Sequence, residues 1–240
     1  MLPNGMTVAC VLVCYLASIP LLAVARDTLG VAPRRGAVLA FALAHNAALT
    51  IFSASVAVLA WTALAARIGE YGFVDALCTL SPDDASLSTV FYASKYYEFV
   101  DTWLVVINGR RPSFLQVYHH VGVVVAMHSA LAAGAGNIVI LTAFNSTVHA
   151  VMYAYYMLAT LGIKWKHARL ITLMQLAQFV IGNSLTMVTY TTHAGTCGEP
   201  AVRGATLFIH AYTTGLVVLF VRFYRVRYAQ SGRASVARTD

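Results

Sequence analysis

Charged side chains are scarce in this sequence: Asp, Glu, Lys and Arg make up 10% of its 240 residues, and only nine are acidic. That poverty excludes an ordinary soluble domain, which carries about a quarter charged residues. The cations form no folded basic surface of the kind that grips nucleic acid. Between the apolar stretches no segment is long enough for a soluble domain, and no internal repeat or low-complexity tract is present.

What is abundant is hydrocarbon, with 59% hydrophobic residues and a mean hydropathy of +0.71. A helix needs roughly 20 apolar residues to cross a bilayer core about 30 Å thick. Seven such stretches are present, near 6–25, 37–65, 86–107, 114–133, 138–161, 169–192 and 203–222. The sequence therefore predicts an all-α, polytopic membrane protein built as one integral domain over 1–240, with a basic tail over about 223–240. Turn and charge residues mark the breaks, including Pro33 to Arg35, Asn108 to Pro112, Gly134 to Asn137, Gly162 to Arg169 and Gly195 to Pro200. The first stretch lacks a basic n-region and a small-residue cleavage site before Arg26-Asp27, so it is expected as a retained helix, in which Pro20 is a candidate kink.

Cytoplasmic loops carry the Lys and Arg excess. Thirteen of the 16 cations fall on one side of this plan: Arg26, Arg34, Arg35, Arg110, Arg111, Lys164, Lys166, Arg169, Arg222, Arg225, Arg227, Arg233 and Arg238. That places the amino terminus outside the cytoplasm and the carboxyl terminus within it. Cys78 and Cys197 fall in the two longest non-cytoplasmic loops. An oxidising lumen favours a disulfide between them, against the alternative of two unrelated thiols.

Polar residues inside the apolar stretches are expensive to bury and point to function. In the third stretch Lys95, Glu98 and Asp101 recur every three residues, which puts them on one helix face as either an ion-pair seam or catalytic groups. The fourth has Gln116 and His119 one turn apart with His120 following, about 8 Å along the helix from Phe114. Imidazole there suits a nucleophile or general base. The fifth aligns Asn145, His149 and Tyr153 at i, i+4, while Tyr155 and Tyr156 are expected as interfacial aromatics. The sixth adds Thr172, Gln175 and Gln178, for interhelical bonds or for orienting a ligand. His45, His128, His193 and His210 lack such partners and are expected in structural or surface roles.

At these residues the chain resembles the fatty acid elongase family of endoplasmic reticulum membranes. Lys95 to Thr102 matches KxxExxDT, Asn145 heads a segment whose His149 to Tyr156 reads HxxMYxYY, and Thr172 to Gln178 fits TxxQxxQ. The family's HxxHH box stands here as Gln116-Val117-Tyr118-His119-His120, with glutamine for the first histidine. That departure resembles a branch of microbial and algal members that extend polyunsaturated acyl chains.

The resemblance implies seven transmembrane helices, the last six forming a barrel-like bundle around an acyl tunnel. It implies condensation of an acyl-CoA with malonyl-CoA to a 3-ketoacyl-CoA two carbons longer, with release of carbon dioxide and CoA. His119 is then expected to form an acyl-imidazole and His149 to hold the thioester or malonyl group. Asn145, His120, Gln175 and Lys95 are candidate donors to the enolate, alongside Glu98 and Asp101. Gln116, Tyr153, Gln175 and Gln178 are candidate substrate contacts. Arg110, Arg111, Lys164, Lys166 and Arg169 are candidate partners for the CoA phosphates, although topology alone accounts for those cations too. No metal and no redox cofactor is expected. Partners are expected to be the two CoA substrates, membrane lipid, a second copy and other enzymes of the elongation cycle. The rival classes are a proton-coupled transporter and a receptor; a retinal protein would need a lysine in its last span, and 203–222 has none.

Overall fold

The computed structural model describes residues 2–30, 36–163 and 165–229. Arg34, Arg35, Lys164, Arg233 and Arg238 of the expected cytoplasmic set lie outside the described residues. All regular structure among the described residues is helical. The elements are α1 (Gly5–Leu29), α2 (Ala37–Cys78), α3 (Pro82–Tyr97), α4 (Phe99–Ile107), α5 (Phe114–Ala133), α6 (Ile138–Thr160), α7 (Ala168–Thr186), α8 (Val188–Thr191) and α9 (Pro200–Tyr224).

Local chemistry sets several boundaries. Ser81 and Ser113 accept hydrogen bonds from the backbone amides of Asp84 and Gln116 and so cap α3 and α5, while Pro82 and Pro200 stand in first turns, where a missing N–H is harmless. Gly134 ends α5 in the left-handed region at φ 69°. α1 runs through Pro20 without interruption.

Two expected boundaries are corrected. The second stretch does not stop at 65: α2 continues to Cys78, which is its last residue and not a loop residue, with a break at Gly72 (φ 80°, ψ 167°). The third stretch is not one helix, because α3 ends at Tyr97 and α4 begins at Phe99, with Glu98 at the join. Five helical segments are long and apolar enough by themselves to cross a membrane: α1, α2, α6, α7 extended through α8, and α9 with its continuation to Tyr228. The other two expected spans are shortened by the break at Glu98 or diluted by Gln116, His119, His120 and His128.

The helices form a closed circuit. α2 packs along α6, α6 on α7, α7 on α9, α9 on α5, α5 on α3, and α3 returns to α2. Small residues on one face of α2, among them Ser53, Ala57 and Ala60, are buried and let its backbone approach α6 closely. α1 stands outside this ring against α4. Only its Val8, Leu12 and Tyr15 are buried, a single stripe, while Met6, Val13, Leu21 and Val24 face outward as lipid-facing residues would.

One end of the ring is fastened covalently and by hydrogen bonds. Cys78 and Cys197 form a disulfide with Cα atoms 5.0 Å apart, and Thr196 Oγ1 donates to Cys78 O at 2.9 Å. Asn137 Nδ2 donates to Thr189 and Thr206 at 3.0 and 2.9 Å, joining three elements. Arg67 binds Asp84 and the carbonyl of Thr79.

Candidate active site

The polar residues of α3 to α6 meet inside the ring. Lys95 has no exposed surface, and its Nζ donates to Glu98 Oε1 at 2.7 Å and to Asn145 Oδ1 at 3.0 Å. It also lies 3.8 Å from the ring centre of Phe91, so the ammonium is enclosed on several sides. A buried charge is tolerable only when paired and hydrogen-bonded in this way. The carboxylate continues the chain of contacts: His149 Nδ1 lies 3.5 Å from Glu98 Oε1, an approach without hydrogen-bond geometry.

Asp101 continues the face of Lys95 and Glu98. Despite the interruption at Glu98 it follows Lys95 and Glu98 along α6, where the three face Asn145, His149 and Tyr153 in turn: its carboxylate accepts from Tyr153 Oη at 2.5 Å and contacts His45 Nε2 at 2.9 Å. His45 thus has an acidic partner 56 positions away that its own stretch of sequence could not reveal. Tyr153, expected as a substrate contact, is fully buried with its phenol committed to Asp101.

The histidines converge. The ring centres of His119 and His149 are 5.9 Å apart and those of His119 and His120 are 5.6 Å apart. His119 and Asn145 line an apolar cavity that continues between α5, α6, α7 and α9 past Gln178, Phe179 and Ile140. Gln178 is 7% exposed. Gln175 reaches Met152 Sδ at 3.5 Å instead. Gln116 does not stand alone, for its Nε2 donates to Thr102 Oγ1 at 3.3 Å, and Thr102 in turn bonds Tyr15 Oη at 2.8 Å. Tyr15 stacks on Phe99 with ring centres 4.0 Å apart, so α1 supplies an outer support that no motif signals.

Tyr212 of α9 is a second contributor missed in the sequence, its phenol lying against His119. Arg110, Arg111 and Lys166 are exposed in the connections between helices, and Arg169 is exposed in the first turn of α7. Arg169 sits 5.1 Å from the ring of Tyr224, and Lys164 lies outside the described residues.

Glu98, His119 and His149 each offer a ligand atom within 4.8 Å of the others, the composition of a two-histidine, one-carboxylate metal set. The ammonium of Lys95 already holds Glu98 Oε1 and would compete with a cation there.

A helical ring with several membrane-crossing helices and with imidazole, amide and ion-paired carboxylate groups beside an apolar cavity defines a polytopic membrane protein with a buried polar cluster. The chain belongs to the ELO family, described as the GNS1/SUR4 family, which it matches over residues 1–236. It is 35% identical over 151 residues to fatty acid elongase 2 of Trypanosoma brucei brucei, covering 59% of this chain and 56% of that protein. It is 32% identical over 163 residues to fatty acid elongase 2 of Trypanosoma cruzi, covering 62% and 58%. With fatty acid elongase sre1 of Dictyostelium discoideum it shares 27% identity over 211 residues, 83% of this chain and 77% of that one. The chain thus spans little more than half the length of the two trypanosome relatives.

Proposed function

We propose that this protein condenses a long-chain acyl-CoA with malonyl-CoA, giving a 3-ketoacyl-CoA longer by two carbons. The observation that carries this reading is His119 lining an apolar cavity with the ring of His149 centred 5.9 Å behind it, and with Nε2 of His119 free of any hydrogen-bond partner among the described residues.

In the first half-reaction the lone pair of a neutral His119 attacks the thioester carbon. A C–N bond forms, the C–S bond breaks, and CoA leaves as a thiolate while the acylated ring becomes a cation. In the second, malonyl-CoA loses carbon dioxide and the electron pair of the broken bond becomes an enolate. Its carbon attacks the acyl carbon, forming the C–C bond and returning an electron pair to neutral His119. His149 and the amide of Asn145 stand where charge develops, and preorganised donors there lower the barrier. Lys95 and Glu98 act by holding Asn145 and facing His149. Decarboxylation drives bond formation, so the reaction as written needs no metal and no redox cofactor.

The acyl chain lies in the apolar cavity, and the CoA head stays outside near Arg110, Arg111, Lys164, Lys166 or Arg169, whose cations suit phosphates. Gln116 in place of the box's first histidine favours polyunsaturated acyl chains. The protein resides in the endoplasmic reticulum membrane with its amino terminus lumenal and its carboxyl terminus cytoplasmic, in company with a second copy and the other enzymes of the cycle.

The test is purified protein with acyl-CoA and labelled malonyl-CoA. Label in a 3-ketoacyl product of the added length, absent with His119→Ala, supports the reading. A folded protein that moves a substrate or proton across vesicles with no such product refutes it in favour of a transporter.

A further inference from the structure

Tyr212 lies in α9, outside every motif of the polar stripe, and is 7% exposed. Its hydroxyl meets His119 twice: it donates to the backbone oxygen at 3.0 Å and stands 3.2 Å from Nδ1. A phenol carries one proton, and a carbonyl oxygen only accepts. With that proton committed to the carbonyl, the phenol oxygen faces Nδ1 as an acceptor. In a neutral imidazole the nitrogen that donates fixes the role of the other. Nδ1 therefore carries the hydrogen and Nε2 the lone pair.

We propose that Tyr212 is a positioning residue that fixes the Nδ1–H tautomer of His119 and so presents the Nε2 lone pair toward the cavity. The use of that lone pair on a thioester rests on the proposed function; the tautomer does not. During acylation the Nδ1 proton stays on the ring, hydrogen-bonded to the phenol oxygen, while the electron pair of the C–S bond leaves with sulfur. In the opposite tautomer Nε2 would carry hydrogen and have no pair to give.

The packing around Tyr212 fits a held orientation. A Cβ at Gly122 would lie 2.1 Å from Tyr212 Cε2, so the ring occupies a notch in α5 that exists only because residue 122 has no side chain. The relation is reciprocal, since a Cβ at Gly215 of α9 would lie 2.4 Å from Tyr118 Oη, and that hydroxyl donates to Tyr212 O at 3.3 Å. The two rings lie with centres 5.5 Å apart. Each tyrosine is thus lodged in the other helix beside its glycine.

The experiment is nitrogen-15 NMR of histidine-labelled protein in lipid nanodiscs, with the His119 signals identified by their loss in His119→Ala. The expected result is a protonated Nδ1 and an unprotonated Nε2, shifting toward the other tautomer in Tyr212→Phe. In the condensation assay Tyr212→Phe should lower kcat roughly 10- to 100-fold, the scale of a misplaced reacting group, with KM changed less than about twofold. Gly122→Ala keeps the phenol but displaces the ring and should move both readouts the same way, which covers the case that Tyr212→Phe does not fold. A wild-type His119 protonated at Nε2 overturns the proposal, as does an unchanged tautomer in both variants. If the wild type makes no 3-ketoacyl product yet shows Nδ1–H, the proposed reaction fails and the tautomer assignment stands.

Discussion

Burial makes individual side chains decisive here, because a polar group without its partner is left in a poor solvent. Removing Lys95 would strand the Glu98 carboxylate at 1% exposure. Lys95→Met is expected to cost about 3–5 kcal/mol, the scale for breaking a buried pair. The check is a thermal melt in detergent alongside Glu98→Gln/Lys95→Met, which removes both charges and should recover part of the loss. His119→Ala, with the fold intact by size-exclusion chromatography, should lose condensation altogether. The Lys95–Glu98 contact was legible in the sequence, since three positions on a helix bring two side chains together. The partner of Asp101 was not. Helix periodicity reports neighbours on one segment, whereas His45 and Tyr153 reach that carboxylate from α2 and α6. Tyr212 was hidden for the same reason, and its surroundings of Thr, Ala and His read as an ordinary membrane helix.

Helix positions in the sequence reading follow hydrocarbon length, and they fail where polar chemistry interrupts a helix or where a helix outlasts its apolar run. α5 begins at Phe114 and ends at Ala133 as expected because a serine cap and a glycine stop bracket it. α2 carries Arg67 and Glu70 beyond its apolar part with no proline to stop it before the break at Gly72, and a further short helical stretch with Asp75 follows to Cys78. Close approach between elements is equally invisible to composition. A Cβ at Gly136 would lie 2.7 Å from Leu77 O and Thr79 N, so the α5–α6 turn rests directly on the end of α2. Gly136→Ala must separate them, and a loss of about 1–3 kcal/mol is expected from the resulting overpacking. A fall in melting temperature without a change in helix content by circular dichroism would show it, and an unaltered melt would contradict the contact.

At the scale of the whole molecule, an all-α fold with several membrane-crossing helices was legible from hydropathy alone, while the order in which helices close the ring was not. Sequence neighbours are not always spatial neighbours: α2 lies along α6, and α9 returns to α5. The disulfide ties α2 to the segment before α9 across 119 positions. Cys78→Ser is expected to cost roughly 2–5 kcal/mol, as for other native disulfides, read as a lower melting temperature that a reducing agent reproduces in the wild type. Incubation with a strong chelator should leave the condensation rate unchanged; a loss restored by one divalent metal would assign that metal to Glu98, His119 and His149. The interlocked Tyr118–Gly215 and Tyr212–Gly122 contacts carry one more consequence. Neither helix can slide or rotate past the other unless both aromatic pegs withdraw together, so lineages that alter any of these four sites should do so in compensating sets, and a bulky replacement at 122 should be rescued only by a smaller residue at 212.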